Sequence, residues 1–494
     1  MKSVSHSAMR ITEHRFAVVL NKFLDSRMRK PLVVFLVGFT IEAVIIASNP
    51  IIFGVDTIVR LVHRDRLVIG HWLPMLQVLI FAVTKISTDP RLVRYTVALI
   101  GASAGVGYYR VVEDLFGEKW AFPAALLFVS NPLFVATSTV PYQESLMLAT
   151  LLFAFHFFYK ERWLTSSLFL GIACLTRYEA WAAVPVLAVT YVVRKDRSAV
   201  GLLKAGLLFG WMPVLWFLVN RGPSPTGHQV VESSISIWRL QRYVHLGWDA
   251  AKHTQLTVLL LAAVGGWRLC TDRSLISWRL WVQGAFVGVF LIAILFSAHG
   301  VPPDPERYVV SREAYILIYF VLLLAALGFS QWPRWTGSIV VLSLTLGAAQ
   351  AYWSTWRATH LPEMQLSYRL ARYLDGSVHD SQRALVLTKP IDAELAEAYL
   401  DKVRRTDGEE AWRKAQFEIQ ELAILEGPGY TRVLAHSHLG REQLFSSAAR
   451  CAQWVAVWSD YPDANRELAA GQQVEVLRSG PMSVTILRRS CGDP

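Results

Sequence analysis

Four short polar groups interrupt an otherwise apolar chain, and their residue types are those that handle a phosphate leaving group. Asp56 follows the first long apolar run by a few positions, and His71 stands fifteen residues later. Tyr142 and Glu144 sit in Pro141-Tyr-Gln-Glu144, Arg177 and Glu179 in Leu175-Thr-Arg-Tyr-Glu-Ala-Trp181, and Arg307 and Tyr308 close Asp304-Pro-Glu-Arg-Tyr308. Moving a sugar off a phosphate requires a carboxylate to take the acceptor's proton and cations to hold the departing phosphate. The transition state resembles an oxocarbenium ion, which a nearby carboxylate also stabilises. Asp56 fits the base. Arg177 and Arg307 fit the clamp, since a guanidinium presents a fork of donors to a phosphate.

Each group alone also has an ordinary structural use. Asp56 could cap a helix, Glu144 could favour a helix N-terminus, Arg177 with Glu179 could be an ion pair, and Arg307-Tyr308 could anchor at the interface. What favours chemistry is their placement on one side of a membrane, and that placement depends on the threading of the chain.

The chain has 494 residues, 53% hydrophobic and 18% charged, with a mean hydropathy of +0.34. Soluble chains of this size carry roughly a quarter charged residues, so most of this one belongs in a bilayer. The net charge of +11 is spread over loops, which reads as topology and contact with anionic lipid and not as nucleic-acid binding. Arg10, Arg15, Lys22, Arg27, Arg29 and Lys30 precede the first apolar run without a cleavage site, placing the N-terminus in the cytoplasm.

Candidate spans, some of them short and needing protein to shield their ends, fall at 31–48, 92–109, 120–137, 144–159, 163–176, 179–193, 201–219, 255–267, 278–297, 313–329 and 337–353, about eleven crossings in all. The pair 163–176 and 179–193 also fits one re-entrant hairpin. Residues 54–94 break the positive-inside pattern with Arg60, Arg64, Arg66, Lys85, Arg91 and Arg94. Amphipathic spacing over Val55 to Leu67 and Trp72 to Val83 suggests two interfacial helices, their cations either snorkelling or attracting an anionic lipid substrate.

From residue 354 the apolar runs shorten to strand length, at Arg383 to Thr388, Thr431 to Ala435, Trp454 to Trp458 and Ser483 to Leu487. Helical patterns intervene at Met364 to Leu374, Ile391 to Val403 and Glu409 to Leu425. The expected architecture is therefore an α-helical polytopic membrane protein with a small C-terminal α/β domain. Residues 1–30 form a cytoplasmic segment, 31–353 the membrane domain and 354–494 the extracytoplasmic domain, in the plasma (inner) membrane. Cys451 and Cys491 could form a disulfide in that space. A divalent cation held by carboxylates is possible, although no spacing demands one.

The order of these features resembles the glycosyltransferase C (GT-C) superfamily, and within it the family 39 type, which includes dolichyl-phosphate-mannose protein mannosyltransferases and bacterial aminoarabinose transferases. The similar pieces are Gly54-Val-Asp56, Gly70-His-Trp-Leu-Pro-Met-Leu76, Leu175 to Trp181 and Glu306-Arg-Tyr308, within residues 31–330. The resemblance implies an inverting transferase with an outward-facing site, a polyprenyl-phosphate sugar donor, an extracytoplasmic acceptor, and Asp56 as general base. Many relatives carry a second acid after that aspartate, where Thr57 stands here. A transporter or lipid flippase is the competing class, but it would want charge near the membrane midplane. Glu42 is the clearest such residue. A scaffold presenting the tail domain would not need Arg177-Tyr-Glu179 in a tight turn.

Overall fold

The computed structural model describes residues 26–49, 57, 60, 61, 67, 73–87, 89–219, 237–296, 314–360, 365, 366, 368–370, 373, 384–387, 433–436, 454–459 and 472–488. Its helices are α1 (Ser26–Ser48), α2 (Met75–Ile86), α3 (Pro90–Phe116), α4 (Glu118–Val129), α5 (Pro132–Ser138), α6 (Gln143–Tyr159) and α7 (Trp163–Cys174). A 3-10 turn (Tyr178–Ala182) leads to α8 (Ala183–Lys195) and α9 (Ala199–Val219). Then follow α10 (Ile237–Lys252), α11 (Leu256–Thr271), α12 (Trp278–Phe296), α13 (Tyr315–Gly328) and α14 (Thr336–Thr359).

Each of the eleven expected spans coincides with helix. Only Arg29–Ser48 and Ala199–Trp216 are long and apolar enough to cross by length and composition alone, among the described residues. Others are short, such as Trp163–Cys174. The expected span 120–137 is broken into α4 and α5, which meet at 62°. Asn131 makes that bend. Its Oδ1 accepts from the Leu133 and Phe134 amides at 3.0 and 3.3 Å, and Pro132 opens α5 where a missing amide costs nothing.

The core is built around α3, which packs on α1, α4 and α6, while α11 and α13 pack on each other. Both of those pairings depend on small residues that let backbones approach closely. A Cβ on Gly265 would strike the Leu324 carbonyl, and one on Gly328 would strike the Leu261 carbonyl. The segments 163–176 and 179–193 form two short helices joined by the 3-10 turn, each packed on α9.

The basic segment 54–94 differs from its expected character. Arg94 and Arg60 are buried, at 0% and 2% exposure, so neither contributes to a cationic surface. Lys85 and Arg91 remain exposed, and Lys85 lies over the Phe81 ring. Helix α2 is amphipathic as expected: Leu76, Ile80 and Val83 pack against Val93 and Val97 of α3. Arg64 and Arg66 lie outside the described residues.

Five strands follow: β1 (Ala384–Leu387), β2 (Val433–His436), β3 (Trp454–Trp458), β4 (Gln472–Ser479) and β5 (Met482–Arg488). They form one mixed sheet in the order β2-β1-β3-β5-β4, with β1 parallel to β2 and β3, and β5 antiparallel to β3 and β4. The four expected strands are present. The polar β4 is an additional edge strand, mostly exposed, which is why it carries no apolar run. Cys451 and Cys491 lie outside the described residues, as do the helical patterns Ile391 to Val403 and Glu409 to Leu425.

Candidate active site

Arg177 organises the described part of the site. It sits in extended backbone (φ −148°, ψ 147°) between the end of α7 and the 3-10 turn. The turn is pinned by Trp181, whose indole N–H donates to the Cys174 carbonyl at 2.8 Å. Arg177 Nη1 donates to Glu144 Oε1 at 2.5 Å, and its Nε donates to Glu179 Oε1 and Oε2 at 2.9 and 3.0 Å. Nη2 also meets Glu179 Oε1. Burial works against the charge on Arg177, but Glu179 and then Glu144 outweigh it and hold the guanidinium above its already high range. One cation thus bridges two carboxylates that lie 35 residues apart in the chain.

Helix α6 supplies Glu144 in its first turn, 2% exposed, with Tyr142 as the half-buried residue capping that helix. The start of α2 joins them. The Met75 amide donates to the Leu175 carbonyl at 3.0 Å, so the His71-to-Gln77 stretch ends against the Arg177 turn. Gln77 reaches back in turn, its Nε2 donating to the Arg60 carbonyl at 3.1 Å. The expected residues Glu144, Arg177 and Glu179 are therefore brought together, with Tyr142 two residues before Glu144 at the start of α6. Asp56, His71, Arg307 and Tyr308 lie outside the described residues. Thr57, next to Asp56, is fully buried, a position where a second carboxylate would have to be desolvated.

Beneath Glu144 lies a small cavity of about 20 Å³, room for one water. Its polar lining comes from Glu42, Thr137, Ser138, Glu144, Ser145 and Tyr315. Glu42 hydrogen-bonds Ser138, and the Ser138 and Ser145 hydroxyls are 2.8 Å apart. Gly101 makes room for this contact, because a Cβ there would strike Ser138 Oγ. The lone acid of the first span is thus linked by two hydroxyls to the residue following Glu144. Sequence reasoning noted Glu42 but had no signal for this linkage, which runs between α1, α5 and α6.

The described residues do not fit a metal. No group of three or more His, Cys, Asp or Glu among them could hold one, and Glu144 and Glu179 already face a cation in Arg177.

At the other end of α6 the bundle is tied shut. Asp114 of α3, 2% exposed, accepts from Lys160 Nζ at 2.7 Å and lies 2.6 Å from His156 Nδ1. Burial raises the Asp114 pKa, but the His156 and Lys160 contacts overcome that and hold it below the ordinary 3.8. Arg279 of α12 adds a bond to the Asp114 carbonyl at 2.6 Å. His156 lies twelve residues from Glu144 along α6, roughly 18 Å at 1.5 Å per residue.

Residues 65–219 match the family model of dolichyl-phosphate-mannose-protein mannosyltransferase. That segment contains α2, Glu144 and the Arg177 turn. Over that segment the chain is similar to the mannosyltransferase family, which is of the glycosyltransferase C type. Its fold is that of ArnT from Cupriavidus metallidurans: the apo crystal structure superposes with a TM-score of 0.58 at 11% identity, covering 95% of this chain and all of the other. The crystal structure of ArnT bound to undecaprenyl phosphate gives 0.55 at 11% identity, covering 94% and 99%. No curated protein matches the chain by sequence.

Proposed function

We propose that this glycosyltransferase moves a sugar from a polyprenyl-phosphate donor to an extracytoplasmic lipid, glycan or protein, with inversion at the anomeric carbon. Asp56 takes the proton from the acceptor hydroxyl. The acceptor oxygen then bonds to the anomeric carbon as the bond to the donor phosphate breaks, releasing polyprenyl phosphate. A positioned base of this kind contributes about 10²- to 10⁴-fold in rate. Arg307 and Arg177 hold the leaving phosphate, Arg307 carrying the larger share because Arg177 is already engaged by two carboxylates. Tyr142, Tyr308 and His71 line the donor path, and Glu144 and Glu179 fix Arg177.

The chain threads the plasma membrane about eleven times, with a cytoplasmic N-terminus (1–30), a transferase domain (31–353) and an extracytoplasmic C-terminal domain (354–494). The observation that carries this reading is the bond from the Met75 amide to the Leu175 carbonyl. It brings the α2 entry stretch against the Arg177–Glu144 pair, inside the segment that matches the mannosyltransferase family. The test is a comparison of envelope lipids and glycans from cells with and without the protein. A single sugar modification lost with the protein supports the reading, and unchanged glycans contradict it.

A further inference from the structure

Arg94 has 0% exposure and no role in the site described so far. It lies in the second turn of α3. Its Nη1 donates to the Asn49 carbonyl at 2.7 Å and its Nε to the Thr139 carbonyl at 2.8 Å. These partners stand 45 residues before it and 45 after it in the chain. The remaining nitrogen, Nη2, is buried and meets no acceptor among the described residues.

The two carbonyls share a structural property. Asn49 directly follows the last residue of α1, and Thr139 is the C-cap of α5. Carbonyls at helix C-termini have lost their intrahelical donors and carry the negative end of the helix dipole. A guanidinium between two such ends is compensated by dipoles rather than by a carboxylate, which is how a buried cation is tolerated there. Asn49 is also approached from a second side: the Thr359 hydroxyl of α14 lies 3.2 Å from Asn49 Oδ1, its one proton shared with the Thr355 and Trp356 carbonyls at 3.0 and 3.1 Å.

Both carbonyls are also roots of site segments. Asp56 lies seven residues after Asn49, and Glu144 lies five after Thr139. We propose that Arg94 is a positioning residue, which sets the departure points of these two segments against each other and so fixes the base-bearing loop relative to the Glu144–Arg177 pair. The guanidinium meets the two carbonyls with two different nitrogens, whereas a lysine would have a single nitrogen for both. The proposal rests on Asp56 being the base.

The experiment uses the purified full-length chain as wild type, Arg94→Lys, Thr359→Val and Asp56→Asn. Three quantities are measured: turnover on polyprenyl-phosphate sugars extracted from the envelope, the Kd for undecaprenyl phosphate, and the unfolding temperature. Arg94→Lys should lower kcat by at least about tenfold, as small misplacements of reacting groups do, with Kd changed less than twofold. Thr359→Val, nearly isosteric, should lower kcat by about threefold with Kd and unfolding temperature unchanged, since it loosens the same root from the far side. The proposal is overturned if Arg94→Lys leaves kcat intact, or if it weakens undecaprenyl phosphate binding about tenfold at unchanged saturating rate, which would make Arg94 a phosphate ligand. If Arg94→Lys does not fold, Thr359→Val decides: lower kcat at constant Kd supports positioning, and unchanged kcat overturns it. Full turnover by Asp56→Asn would sink the base assignment. An inactive Asp56→Asn beside a fully active Arg94→Lys would sink only the role of Arg94.

Discussion

Arg177 and Glu144 are 33 residues apart in sequence and meet at 2.5 Å, with Glu179 closing on the same guanidinium from the other side. The three groups form one unit, with Glu144 buried and Arg177 and Glu179 half-buried, whose members depend on one another. Removing Arg177 leaves two carboxylates in a low-dielectric site, whereas removing Glu144 leaves Arg177 still paired with Glu179. Arg177→Ala should therefore be the most damaging change, destabilising by about 3–5 kcal/mol, and Glu144→Ala should cost less. Thermal unfolding of the detergent-purified variants measures the order. A Glu144→Ala protein less stable than Arg177→Ala would contradict the shared-cation arrangement.

Asp114 predicts an acid limit. Its folded pKa is depressed, so the stability it contributes is complete above the ordinary carboxylate value of 3.8 and is lost as pH falls through that value toward the lower folded one. Asp114→Asn should destabilise the protein at pH 6 by about 1–3 kcal/mol, and the gap to wild type should narrow steadily below pH 4. Unfolding temperatures of both proteins between pH 6 and 3 provide the check. A gap that widens on acidification would show that the His156 and Lys160 contacts do not stabilise the carboxylate.

Adjacent glycines on α11 make a paired test of close packing. A Cβ on Gly265 meets the Leu324 carbonyl, while one on Gly266 meets nothing within 4 Å. Gly265→Ala should cost about 1–3 kcal/mol from forced separation of α11 and α13, and Gly266→Ala should be neutral or slightly stabilising by helix propensity. Equal effects in a denaturation series would refute the contact between these helices.

Much of the helical architecture is legible in the chain, for a physical reason. Apolar runs bounded by basic loops leave little freedom, and each of the eleven segments read from hydropathy overlaps helix among the described residues. The bend between α4 and α5 is written in Asn131-Pro132, but a hydropathy run passes through it without a break. Helix α10 was not anticipated because Arg239, Arg242, Asp249 and Lys252 interrupt any apolar run. In the site, Arg177 with Glu179 is visible as a local pair, whereas the bond to Glu144 is set by the packing of α6 beside the turn. Burial of Arg60 and Arg94 was likewise hidden, since a cation beside a membrane helix reads as a surface charge until its partner carbonyls are placed in space.

The central claim is that Asp56 activates the acceptor, and it can be tested with one substitution. Asp56→Asn keeps the size and polarity of the side chain and removes only its capacity to take a proton. Initial rates of sugar transfer from envelope-extracted polyprenyl-phosphate sugars, measured on folded wild type and variant, should differ by at least about 10²-fold, with undecaprenyl phosphate binding retained. Transfer at the wild-type rate by Asp56→Asn would contradict the account.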